Sequence, residues 1–156
     1  MEVYDLISPI EDALLDRLKA KLENRVLVQP YPENPESYEP THPVGAVLVR
    51  YAEADYSDSR DTSSVIQERD MLFEVTLAMW NLRGKQGGIY LYLEAVRQFL
   101  TGFTPPNCDR KLTPDSEGFV SRSAGLKNKS QRLWQYQITF KTRSMNIEIP
   151  EEQLSP

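Results

Sequence analysis

The side chains able to do chemistry are few, and their spacing argues against a catalytic or metal centre. His42 is the single histidine and Cys108 the single cysteine. A Ser-His-Asp or Cys-His system would have to use His42, which lies between Thr41 and Pro43 with no partner motif near it or near Cys108. One His and one Cys do not supply the tetrahedral N/S set of a zinc site. Asp55, Asp58 and Asp61 recur at a spacing of three. An EF-hand calcium loop needs a spacing of two, a central glycine and a distal glutamate, so these carboxylates read as a solvated acidic loop. Gly84-Lys85-Gln86-Gly87 has the letters of the KH-domain GxxG clamp, but that loop joins two helices and here a strand precedes it. It also lacks the Gly-Lys-Ser/Thr ending of a phosphate-binding P-loop. The expectation is no enzyme, no cofactor and no metal.

Charge is the more informative chemistry. Residues 1–117 carry twelve basic and twenty acidic side chains, whereas 118–147 carry Arg122, Lys127, Lys129, Arg132, Lys141 and Arg143 and no acid. Glu148, Glu151 and Glu152 return negative charge in a short tail, residues 148–156. A net charge of −5 disfavours non-specific nucleic-acid binding. Separated signs instead suit contact with another copy or a partner. The basic stretch lies between two strands and reads as a solvated hairpin tip or a docking element.

The elements that position these residues follow from periodicity. Ser8-Pro9-Ile10-Glu11 has the form of a capping box with proline at the first helical position. Ile10, Leu14, Leu18 and Leu22 then predict an amphipathic helix over residues 9–24. Residues 26–28 predict a short strand ending at Pro30. Five of the eleven prolines fall in residues 30–43, an extended surface loop. The apolar run 44–51 predicts a strand buried on both faces, and the polar stretch 52–68 a long exposed loop or hairpin tip. Met71, Phe73, Val75, Leu77 and Met79 alternate with their neighbours, a strand pattern. Ile89, Tyr92, Val96, Phe99 and Phe103 predict a second helix, with Gly102 placed to end it. Short strands over 108–112 and 118–123 follow. Trp134, Tyr136, Ile138 and Phe140 then share one face of a last strand and read as core rather than a base-stacking platform.

Together these give an α+β fold, order α-β-β-β-α-β-β-β, with a mostly antiparallel or mixed sheet flanked by two helices. The 156 residues and 40% hydrophobic content suit one domain with one core. A lone cysteine excludes a disulfide framework. No signal peptide is visible and no apolar run approaches the ~18 residues of a membrane helix, which predicts a cytoplasmic protein without membrane contact.

This order of elements resembles the phage tail-terminator fold, and in particular the small tail proteins of contractile-tailed phages and Mu-like prophages. The residues carrying the resemblance are Phe73-Glu74-Val75-Thr76-Leu77, Gly88-Ile89-Tyr90-Leu91-Tyr92-Leu93-Glu94-Ala95-Val96-Arg97, Leu100-Thr101-Gly102-Phe103, Gly118-Phe119-Val120 and Trp134-Gln135-Tyr136-Gln137-Ile138-Thr139-Phe140. They are core and turn positions, and they span nearly the whole chain. The resemblance implies a tail-terminator or tail-completion subunit. Such a subunit forms a ring, commonly a hexamer, that caps the tail tube and meets sheath or head-completion proteins. It is assembled in the host bacterial cytoplasm and carried in the virion tail. Arg122, Lys127, Lys129 and Arg132 of one copy would meet Asp55, Asp58 and Asp61 of the next. The alternative is a nucleic-acid-associated accessory protein using the basic segment 122–143.

Overall fold

The computed structural model describes residues 2–85 and 87–151. Helix α1 (Ile7–Leu22) is followed by strand β1 (Leu27–Pro30), a short 3-10 turn (Pro35–Ser37) and strands β2 (Gly45–Tyr56) and β3 (Ile66–Met79). Helix α2 (Ile89–Leu100) then leads to β4 (Thr113–Ala124) and β5 (Arg132–Ile147). The strands form one sheet in the order β1-β2-β3-β5-β4. β1 lies parallel to β2, and every other pairing is antiparallel. The fold is therefore α+β with a mixed sheet and two helices.

Both helices pack on one face of this sheet. Arg17 in mid-α1 donates to the Phe99 carbonyl near the end of α2 (2.6 Å), while Lys21, further along α1, shares a groove with Leu91 near the start of α2. The helices thus run antiparallel. Ile10, Leu14 and Leu18 from α1 and Ile89, Val96 and Leu100 from α2 are fully buried against Val47, Phe73, Val75, Leu77, Ile138 and Phe140 of the sheet. Burying one such side chain is worth about 1.5–3 kcal/mol, so this layer dominates the stability.

The cap of α1 differs from the sequence expectation. Asp5, not Ser8, accepts the first free N–H groups, those of Ile7 and Ser8 (3.0 Å each), and the Ser8 hydroxyl bonds to the same carboxylate. These bonds, that from the Ser8 hydroxyl first, hold the Asp5 carboxyl below the usual range. A charged acceptor outcompetes a hydroxyl for these donors. Glu11 is drawn elsewhere and accepts the Tyr51 N–H (2.7 Å), where the β2–β3 register shifts between Tyr51 and Glu53.

The stretch 52–68 is mostly ribbon. β2 and β3 stay paired out to Tyr56 and Arg69, and only residues 57–65 form the tip. Polar residues on both sides of the ribbon hid its period. Backbone pairing and ion pairs keep it together: Arg60 with Glu68, and Arg143 of β5 with Asp70 (2.7 Å) and Glu68 (3.2 Å). Residues 108–112 form no strand, so two strands rather than three follow α2. Leu112 instead inserts into the core, and its N–H and carbonyl bond to Phe103 and Gly102 (2.7 and 2.9 Å). Gly102, at φ +88°, ends the helix as expected.

The proline-rich stretch is a strap over the sheet face away from the helices. Tyr31 N–H continues the β1 pairing to the Val49 carbonyl (2.9 Å), and Gln29 donates to the Tyr38 hydroxyl (3.1 Å). Glu39 then reaches the β4–β5 turn and accepts the Leu126 and Lys127 N–H groups (2.9 and 3.3 Å). Leu48 and Leu133, buried but outside the main core, lie on this strapped face. The strap rejoins the sheet at Gly45. Its φ is +139°, and a Cβ there would stand 2.3 Å from the Ala78 carbonyl oxygen, so only glycine serves.

Candidate functional site

The sheet carries a charged tip at each end. The β2–β3 tip is built by short polar side chains. Asp61 accepts from the Ser63 N–H (2.9 Å) and hydroxyl (3.0 Å), which holds its carboxyl below the usual range. Ser59 donates to the Asp61 carbonyl and accepts the Ile66 N–H (2.9 and 3.1 Å). Asp55 sits in β2 directly across from Asp70. Arg143 offsets Asp70, whereas Asp55, Asp58 and Asp61 make no ion pair with any described residue.

The β4–β5 tip is equally ordered. Arg132 donates to the Lys129 carbonyl (2.6 Å), and Asn128 accepts from the Ser130 N–H and hydroxyl (3.1 and 2.6 Å). The guanidinium of Arg122 lies 5.2 Å from the centre of the Trp134 ring. Glu39 fixes the turn from outside through two backbone N–H groups.

Register places the two tips far apart. β3 leaves the acidic tip at Ile66, opposite Ile147, and ends at Met79, opposite Trp134, two residues into β5. Thirteen steps of about 3.3 Å separate these levels by roughly 43 Å. The structure therefore brings Asp55, Asp58 and Asp61 together at one end and Arg122, Lys127, Lys129 and Arg132 together at the other. Within one chain the two sets do not meet.

The basic run of the sequence is not one face. Lys141 and Arg143 lie towards the acidic end, Lys141 with Asp115 (3.5 Å) and Arg143 with Asp70 and Glu68. The basic end gains cations that the sequence reading missed. Lys21, Arg25 and Lys85 come from α1, the α1–β1 connection and the β3–α2 connection, and no linear signal joins them. Gly84 and Lys85 of the GxxG segment lie in that second connection, and Gln86 is outside the described residues.

A second unpredicted feature is aromatic. Phe140 is fully buried, but Trp134 and Tyr136 on the same face are only half-buried. Tyr136 meets Phe119 of β4 and Tyr90 of α2 edge-on, with ring centres 5.7 and 6.0 Å apart. Phe119 is 58% exposed.

His42 and Cys108 serve separate places. His42 Nδ1 accepts the Val44 N–H (3.1 Å), which leaves Nε2 to donate to the Asn24 carbonyl (3.1 Å); the ring clasps a turn. The Cys108 thiol, near Thr142, is pushed up by burial. Among the described residues, no three His, Cys, Asp or Glu side chains form a metal-holding group, and no helix is long and apolar enough to cross a membrane.

Comparison with known proteins gives one family. The model of the family described as Gp37 protein matches residues 14–156. No curated protein matches the chain. Among solved structures, a chain of the virion of a native gene transfer agent particle is similar at 14% identity and a TM-score of 0.46, covering 92% of this chain and 100% of that one.

Proposed function

The chain belongs to the Gp37 protein family, and from that premise we propose that it is a structural tail protein of a phage or prophage. In this reading it is a tail-terminator or tail-completion subunit that closes into a ring, a hexamer, on the tail tube and meets head-completion proteins. It is assembled in the host cytoplasm and carried in the virion tail. The observation that carries the reading is the placement of opposite charges at opposite ends of one continuous sheet. A head-to-tail ring needs two different, complementary surfaces on each subunit, whereas a two-fold dimer needs one surface that matches itself. Asp55, Asp58 and Asp61 supply one surface and Arg122, Lys127, Lys129 and Arg132 the other. Exposed ion pairs are worth about 0–1 kcal/mol each, so these contacts set register and association rate, and ring closure couples them into a stable whole.

The test is assembly with tail tube, followed by negative-stain microscopy and mass photometry. Reversing Lys127 and Lys129 to Glu should leave the melting temperature nearly unchanged and weaken ring formation. Adding Asp58→Lys and Asp61→Lys to the same chain should partly restore it. A monomer under every condition would remove the ring reading. Salt-sensitive DNA binding in its place would favour the nucleic-acid alternative.

A further inference from the structure

At the basic end, α1 and α2 leave an open groove of about 640 Å³. Its floor and walls include Leu22, Leu91 and Phe99, and Leu91 is 46% exposed. Its rim carries Lys21, Arg25 and Lys85. All three cations are exposed, and none makes an ion pair with a described carboxylate. Among the described residues, no acid lines the groove. Three unmatched cations around apolar lining, in a chain of net charge −5, specify an occupant that is acidic and apolar at once.

Of the acidic stretches that carry apolar residues and no cation, 31–41 is held in the strap through Glu39, and 51–59 and 112–121 belong largely to β2 and β4, which leaves the two ends of the chain. Residues 148–156 read Glu-Ile-Pro-Glu-Glu-Gln-Leu-Ser-Pro, with three acids, no cation and two apolar residues, Ile149 and Leu154. The amino-terminal residues fit less well, because Asp5 is engaged as the α1 cap. We propose that the α1–α2 groove of one copy receives residues 148–156 of a neighbouring copy. Ile149 and Leu154 then contact the apolar lining, while Glu151 and Glu152 meet Lys21, Arg25 and Lys85.

Geometry assigns the segment to a neighbour rather than to the same chain. The Glu148 N–H is bonded to the Val65 carbonyl (2.8 Å), at the acidic tip. The eight residues beyond it reach at most about 28 Å when extended. The cationic rim lies beside the Met79 end of the sheet, about 40 Å away. A second copy placed head-to-tail brings its acidic end to this groove. Ile149 and Leu154 stand up to ~17 Å apart in extended chain, and Leu91 to Phe99 spans about 12 Å of helix, which is a matching scale.

The proposal rests on the head-to-tail reading for the source of the segment, but its binding can be measured without a ring. A fluorescent peptide of residues 148–156 is titrated with the full-length chain at low and high salt and followed by anisotropy. Saturable binding is expected. It should weaken about ten-fold in the Lys21→Glu, Arg25→Glu chain and recover when Glu151 and Glu152 of the peptide are changed to Lys. A peptide with Ile149→Ser and Leu154→Ser should bind at least as poorly. Circular dichroism confirms that the exposed charge changes leave the fold intact. No saturable binding at low salt, unchanged binding by the reversed groove, or equal binding by the serine peptide each overturns the proposal. Rings that assemble while the peptide fails to bind would leave the tail reading in place and remove this one; binding without rings would do the reverse.

Discussion

β3 and β4 both flank β5 and share its hydrogen bonds, yet they have opposite surroundings. Every residue of β3 from Phe73 to Met79 is buried, and the strand pairs on both edges. β4 has no buried residue, one free edge and two register shifts, between Pro114 and Ser116 and between Phe119 and Ser121. Antiparallel pairing to the same strand thus supports a load in one neighbour and a display surface in the other. The shifts matter for the second role, because bulges interrupt a long open edge that would otherwise invite indiscriminate pairing.

The contrast can be broken most directly at two phenylalanines. Phe73→Ala removes a fully buried ring from beneath both helices and should cost about 3–5 kcal/mol, read by urea denaturation. Phe119→Ala removes a ring more than half exposed and should cost under ~1 kcal/mol. If β4 displays rather than supports, this second change should reduce assembly on tail tube far more than stability. Comparable losses of stability at the two sites would erase the distinction.

A separate test, confined to alkaline pH, concerns the strap that crosses the sheet. Burial pushes Tyr38 up to about 12 from an ordinary value of 10.0. The folded chain holds this proton more tightly than the unfolded one, so the contribution is complete below pH 10 and is lost as pH rises towards 12. Thermal melts across that range should show a steeper decline in the native chain than in Tyr38→Phe. Parallel declines would mean that the hydroxyl is not held in the strap's packing.

The strands and helices that face the core were legible because burial imposes a period. The alternation from Met71 to Met79, and the i+4 recurrence from Ile10 to Leu22, located β3 and α1 within a few residues. Where burial stops, the signal stops. The ribbon beyond Tyr51 continues through backbone pairing and ion pairs among polar residues, and residues 108–112 hold a single buried anchor, Leu112, rather than an alternating strand. Proline density marked residues 30–43 as extended but could not say that they cross the sheet. The charged surfaces were half legible. Each tip is local in sequence, so its residues were grouped correctly, whereas the distance between tips depends on register. The groove cations come from three separate segments and left no trace in any one of them.

The Glu39 clasp has a consequence for how this protein can change. It holds the β4–β5 turn through the N–H groups of residues 126 and 127, which every amino acid except proline possesses. The mount is indifferent to the side chains it presents. Leu126, Lys127 and Lys129 can therefore be rewritten without moving the turn, and a lineage meeting a new neighbour can exchange the lettering on this face while keeping the bracket that holds it.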